Sequence, residues 1–267
     1  MPVKTRAIAA LAAATVCAAL LTGCGNANAG TGAGADFTQY MEGQPGVARA
    51  FGGGSNDLPF IASVTGHVVL SDDVTEDQIE AVVDRAGEYY ARHDSEFVDW
   101  LSVRVSVGLF EISVAKTRLV NDDLRVLFSA VRADSRYVGA AVGAQEAEFA
   151  LADAPSAEAL VTGLDTTVGF LTRYPVAAGS VVVSIAAEPD GFPEYQLTQH
   201  AGAGRPDAAI AALEALWATT VPLTARVNNE RFSVTLGDEA AVPAALALVT
   251  PILAGSTVTE ISVEGPN

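Results

Sequence analysis

Along five short segments of this chain, apolar and polar residues alternate one for one, the period of a β-strand with a single buried face. Leu101, Val103, Val105 and Val107 share one face, and Ser102, Arg104 and Ser106 the other. Phe110, Ile112 and Val114 alternate with Glu111 and Ser113, and Phe232, Val234 and Leu236 with Arg231, Ser233 and Thr235. Ala147, Phe149 and Leu151, then Val181, Val183 and Ile185, repeat the theme. One-sided strands suit an antiparallel or mixed sheet rather than a parallel sheet covered on both faces.

Segments of helical period lie between the strands. Ile79, Val82, Val83, Ala86 and Tyr90 form one apolar stripe, and Leu124, Leu127, Phe128 and Val131 a second. Leu160, Val161, Leu164, Val168 and Leu171 form a third, with weaker stripes over 210–217 and 246–253. Thr75 and Gln78 have capping-box spacing, and Val74 with Ile79 that of a hydrophobic staple. Asn121 is predicted to cap the next helix, with Asp122 and Asp123 in its first turn. Gly108-Leu109 fits a type II′ hairpin and Asn228-Asn229 a type I′ hairpin, while Gly143 to Glu146 forms a longer loop. Gly52-Gly-Gly54-Ser-Asn-Asp reads as a flexible loop.

The pattern also repeats at a spacing of 85 or so residues: Val64 maps to Phe149, Ile112 to Leu197 and Phe149 to Val234. A βαββαβ unit of that size is the split βαβ, or ferredoxin-like, arrangement. The predicted fold is therefore α+β: tandem ferredoxin-like units with largely antiparallel sheets, helices on one face and a polar face exposed. The expected boundaries are an incomplete unit at 36–107, a unit at 108–187 and a unit at 192–264, separated by the Pro- and Gly-punctuated loop 188–193.

No reactive constellation emerges from the motifs. His67, His93 and His200 have no close partner of metal-ligand spacing, so no metal site is predicted. The acids Asp72, Asp73, Glu76 and Asp77 lack the order of a calcium loop and suit a helix start. Ser113 and Lys116 match SxxK, but the pair begins on a strand, where positions three apart face opposite sides. No phosphate loop, catalytic residue or cofactor is indicated. A formal charge of −17 disfavours nucleic acid, which calls for basic surface. The outward positions Ser102, Arg104, Ser106, Glu111, Ser113, Glu148, Ser184, Arg231, Ser233, Thr235, Glu260 and Ser262 carry no base-stacking aromatics. They form a polar face for solvent, a partner protein or a cell-wall polymer.

The N-terminus carries the most specific motif. Lys4 and Arg6 precede an apolar run from Ala7 to Leu21, too short to span a bilayer but fitting a secretory signal. The run ends Leu21-Thr22-Gly23-Cys24, which resembles the lipobox of bacterial lipoprotein precursors. The resemblance implies cleavage between Gly23 and Cys24 and lipid on the Cys24 thiol. Cys17 would leave with the signal, so no disulfide is expected. Residues 1–23 are then a signal peptide, and 24–35, CGNANAGTGAGA, a flexible tether. Such a tether has a root-mean-square reach of about 20 Å. The expected protein is lipid-anchored at the extracytoplasmic face of the cell membrane. It is a non-catalytic binding or scaffold lipoprotein whose partners are the membrane, through Cys24, and an envelope protein or cell-wall polymer. The alternative is a cell-envelope hydrolase using carboxylates between units.

Overall fold

The computed structural model describes residues 29–58, 61–95, 98–174, 179–186 and 193–266. The signal sequence, Gly23, Cys24 and the loop residues 188–192 lie outside the described residues. Contacts divide the chain into two units, 1–105 and 106–267.

Unit 1 contains α1 (Ala29–Met41), β1 (Val47–Leu58), β2 (Ile61–Leu70), α2 (Glu76–His93) and most of β3 (Val98–Val107). β1 and β2 run antiparallel, with Phe51 opposite His67 and Gly53 opposite Thr65. β3 lies beside β2. The first correction to the sequence reading is α1 itself, since residues 29–35 are helix and not tether. Gly30 and Gly34, one turn apart, bring the helix backbone onto β1. A Cβ on Gly52 would sit 1.9 Å from the Gly34 carbonyl oxygen, and one on Gly54 2.1 Å from that of Gly30. The Thr38 hydroxyl accepts from the Gly52 N–H at 2.8 Å and donates to the Gly34 carbonyl at 3.0 Å. Glycines that lower helix propensity are thus the ones whose bare backbones let helix and strand meet. The same contact makes Gly52 to Ser55 part of a strand rather than a flexible loop.

Aromatic rings fill the space under the rest of α1. Phe37 meets Tyr89 edge-on at 5.4 Å and Trp100 at 5.3 Å, and all three are buried. Trp100 also shifts the face pattern of β3. Leu101 was assigned to the core face, yet it is 61% exposed while Trp100 is buried. The indole occupies the space beside Phe37 and Tyr89, and alternation holds from Ser102 to Val105, after which Ser106 and Val107 are both buried. At the start of α2 the capping box of Thr75 and Gln78 is present, and Val74 and Ile79 are buried as the staple requires.

Unit 2 continues through β4 (Phe110–Ser113), α3 (Arg118–Arg132), β5 (Tyr137–Val142), β6 (Glu146–Leu151), α4 (Ala157–Leu171) and β7 (Ser180–Ala186). Then follow β8 (Pro193–Gln199), α5 (Asp207–Trp217), β9 (Pro222–Val227), β10 (Arg231–Leu236), α6 (Val242–Leu253) and β11 (Glu260–Glu264). The architecture is mixed α+β. The strands lie in the sheet in their sequence order. β5–β6, β7–β8 and β9–β10 are antiparallel hairpins. β4–β5, β6–β7, β8–β9 and β10–β11 are parallel, each pair joined through one helix.

This order differs from the ferredoxin-like one. A split βαβ leaves a gap between its parallel strands for a third strand, whereas here the parallel strands bond directly. The repeating element is a hairpin followed by a helix. Successive core residues Ile112, Phe149, Leu197 and Val234 are spaced 37, 48 and 37 residues apart, so the spacing of 85 spans two such elements. β7 and β8 flank residues 187–192, belong to the same unit and pair antiparallel with Val183 opposite Leu197.

One face of the unit 2 sheet carries the core. Ile112, Val142, Phe149, Val183, Leu197 and Val234 are buried against Leu124, Leu160, Leu213 and Val249 of the helices. Two local expectations change. Asn121 is not the cap of α3, which starts at Arg118; it is buried inside the helix. Its carboxamide accepts from Ala115 N–H at 2.7 Å and donates to Ala115 C=O at 2.9 Å, pinning the preceding loop. The β9–β10 turn centres on Asn229 and Glu230 rather than Asn228 and Asn229, since Asn228 N–H donates to Arg231 C=O at 2.9 Å. No residue there has the positive φ of a type I′ turn, and the Asn228 carboxamide instead accepts from the N–H groups of Glu230 and Arg231. Gly108, with φ +56°, supports the hairpin predicted for it. Among the described residues, no helix is long and apolar enough to cross a membrane.

Candidate binding site on the open sheet face

In unit 1 the face of the sheet opposite the aromatic core carries an open groove of about 400 Å³. Three adjacent strands build it. β1 contributes Phe51 and Gly53, β2 contributes Thr65 and His67, and β3 contributes Ser102 and Arg104. Strand alternation sends these side chains to one side, because their neighbours Ala50, Val64, Val68, Val103 and Val105 are buried on the other. Phe51 is 50% exposed, an unusual setting for a large aromatic. Its ring lies 6.5 Å from that of His67, tilted by 39°. Further along β1, opposite Thr65, the surface dips at Gly53, where a Cβ would meet only the Thr65 hydroxyl at 3.4 Å. Arg49 lies on the same face, two residues before Phe51 on β1 and opposite Val69.

The groove's side chains offer an apolar ring, two hydroxyls, an imidazole and a guanidinium, and no carboxylate. The arrangement can hydrogen-bond a polar ligand that also presents an apolar face.

The open face of unit 2 is different in kind. Arg231 pairs with Glu260 across β10 and β11 at 2.8 Å. Ser184, expected to project from this face, is 1% exposed, and its hydroxyl donates to the Phe149 carbonyl at 3.4 Å. Ser106 is likewise covered. Glu148 is half-buried between Ala141 and Val182; loss of water, with a smaller push from Glu146, raises its pKa above the usual carboxylate range. A second cavity, of about 320 Å³, lies beside Leu171, Tyr174, Gln199 and His200.

The three histidines are dispersed. His67 lines the groove, and His93 stacks on Tyr89 at 3.9 Å with its Nδ1 2.9 Å from the Tyr89 carbonyl. His200 borders the second cavity. Among the described residues, no group of three or more His, Cys, Asp or Glu side chains is placed to hold a metal ion. Ser102 and Arg104 were visible in the sequence as outward residues. Phe51 was missed because its glycine neighbours suggested a loop, and the signal that could have found it is the alternation Arg49, Phe51, Gly53 against buried Ala50. No family model matches this chain, and neither a curated protein nor a solved structure is similar to it.

Proposed function

We propose that this chain is a bacterial lipoprotein, anchored through Cys24 at the extracytoplasmic face of the cell membrane, which binds or scaffolds an envelope component without catalysing a reaction. The observation that carries the anchor is the order of parts at the N-terminus: Lys4 and Arg6, the apolar run to Leu21, then Thr22-Gly23-Cys24. The binding role draws support from the polar sheet faces, above all the groove of unit 1. The sequential strand order gives no support to a tandem ferredoxin-like organisation.

Metabolic labelling with a palmitate analogue, followed by membrane fractionation and mass spectrometry of the N-terminus, tests the anchor. The wild-type chain is expected to begin at a modified Cys24 and to sediment with membranes. Cys24→Ser should lose both label and sedimentation, and a Cys24→Ser chain that stays membrane-bound would overturn the anchor. Co-purification from detergent-solubilised envelopes tests the binding role.

One observation favours the alternative of an envelope hydrolase, namely the raised pKa of Glu148 beside Glu146. That reading requires Glu148→Gln to abolish release of fragments from cell-wall polymers. The binding reading requires that the wild-type chain release none.

A further inference from the structure

We infer that the free edge of β11 is a docking site for an extended strand of another polypeptide, one that alternates apolar with polar residues and brings Lys or Arg to Glu264. The inference rests on the binding reading above but not on the lipid anchor, so the two can fail separately.

The terminal strands β1 and β11 are treated differently. On β1 the Gly52 N–H donates to the Thr38 hydroxyl at 2.8 Å, and the α1 backbone lies against Gly52 and Gly54. β11 has only β10 beside it. The Glu260 N–H donates to the Glu230 carbonyl at 3.1 Å, so Glu260, Ser262 and Glu264 turn their backbone groups toward β10. Alternate residues of a strand turn theirs the other way, which leaves the N–H and C=O of Ile261 and Val263 on the open side. Among the described residues nothing bonds to them there. These are the groups with which an added strand pairs.

Side chains set the pattern of the incoming strand. Ile261 and Val263 lie opposite the buried Phe232 and Val234, on the helix side, and Ile261 is 37% exposed. Beside β11 packs α6, which carries no charged residue and leaves Pro243, Ala244, Ala247 and Pro251 exposed. A helix apolar all round is ordinarily covered all round. Apolar residues of the added strand belong on this side, and polar ones beside Ser262 and Glu264. Charge then selects the partner. Glu260 is taken by Arg231, whereas Asp238, Glu239 and Glu264 are exposed and meet no cation among the described residues. They gather at one end of the edge, since a Cβ on Gly265, next to Glu264, would lie 2.9 Å from that of Glu239. Such a cluster steers a basic segment inward and disfavours a second copy of a chain of charge −17.

The test is fluorescence anisotropy of a labelled peptide that alternates valine with lysine, titrated with the full-length chain in non-ionic detergent micelles. Micelles alone are the blank. Two comparison peptides carry glutamate in place of lysine, or methyl groups on the central backbone nitrogens. The lysine peptide is expected to bind, and each comparison peptide about tenfold more weakly or worse, through lost charge pairing or lost hydrogen bonds. Ile261→Pro removes an outward N–H and spares the ladder to β10, a place where an edge strand accepts proline. It should weaken binding about fivefold or more with unchanged circular dichroism. If that variant fails to fold, the methylated peptide still decides. Glu239→Gln with Glu264→Gln should weaken binding and flatten its salt dependence. Phe51→Ala, in unit 1, should leave binding unchanged. Four results would overturn the proposal: no binding of the lysine peptide, equal binding of either comparison peptide, wild-type affinity in a folded Ile261→Pro chain, or wild-type dimers in sedimentation that Ile261→Pro dissolves. An envelope component captured equally by wild type and folded Ile261→Pro would also overturn it, while upholding the binding reading. Loss of membrane anchorage in Cys24→Ser would leave this titration unaffected.

Discussion

Units 1 and 2 start from the same local pattern, one-sided strands with helices between them, and close their cores in opposite ways. Unit 1 brings backbone onto backbone. Gly30 and Gly34 of α1 meet Gly52 and Gly54 of β1, and the remaining volume is filled by Phe37, Tyr89 and Trp100. Unit 2 keeps its helices at side-chain distance and fills the gap with aliphatics such as Leu124, Leu160 and Val249 over Phe149 and Val234. The contact of α1 with β1 in unit 1 depends on absent side chains, whereas the helices of unit 2 meet their strands mainly through present ones. The first solution tolerates no added atom, and the second tolerates no removed one.

The two tryptophans, Trp100 in unit 1 and Trp217 in unit 2, let each unit be followed by fluorescence in a background where the other is Phe. The largest effect is expected from Gly52→Val. Its Cβ would fall on the Gly34 carbonyl, so α1 must leave, exposing Phe37 and Met41, whose burial contributes about 1.5–3 kcal/mol each. Trp100 emission should shift red at lower denaturant than in the wild type; an unchanged midpoint would show that the glycine contact contributes nothing. Phe149→Ala is the counterpart in unit 2 and should cost about 3–5 kcal/mol, read as an earlier Trp217 transition. Next comes Asn121→Ala, which leaves the Ala115 N–H and C=O without their partner. A loss of about 1–3 kcal/mol is expected in urea unfolding. Gly169→Ala reverses the sign. Gly169 sits in α4 with open space around it, and Ala should add about 0.5–1 kcal/mol through helix propensity. Adding the same Cβ to Gly34 in α1 should destabilise, since it would lie 2.7 Å from the Gly52 carbonyl oxygen.

The smallest effect is a pH dependence. The folded-state pKa of Glu148 is raised, so the folded state favours its protonated form. Its contribution is fully present below the unfolded pKa of about 4.3 and is lost as pH rises through the folded value. Glu148→Gln should therefore raise the melting temperature at pH 7 relative to wild type, and the gain should vanish below about pH 4. A gain that persists in acid would point to a cause other than charge.

Much of unit 2 is legible in the sequence because side chains hold it together. The faces of β4, β6 and β10 follow from alternation, and the stripes of α3 and α4 from helical spacing, whereas β7 is buried on both faces from Val181 to Ile185. The strand order was not legible. Local pattern says that a strand exists but not which strand it joins, and unequal spacings of 37 and 48 residues hid the shorter repeat inside the longer one. In unit 1 the helix and strand made from glycines were invisible, since propensity assigns glycine to loops and counts only what a residue adds. The groove was half legible for the same reason. His67, Ser102 and Arg104 show as outward residues, while Phe51 and Gly53 fell inside a glycine run.

The early start of α1 also sets the length of the leash. If lipid holds Cys24, at most residues 24–28 separate it from the helix described from Ala29, and five residues fully extended span at most about 17 Å. Under the proposed anchor, unit 1 would ride close above the bilayer, like a boat moored on a short line. Its groove would then meet only those polymers that reach down to the membrane surface. Lengthening that line with a Gly-Ser insert after Cys24 would test whether the height of the mooring, and not just its existence, matters to the cell.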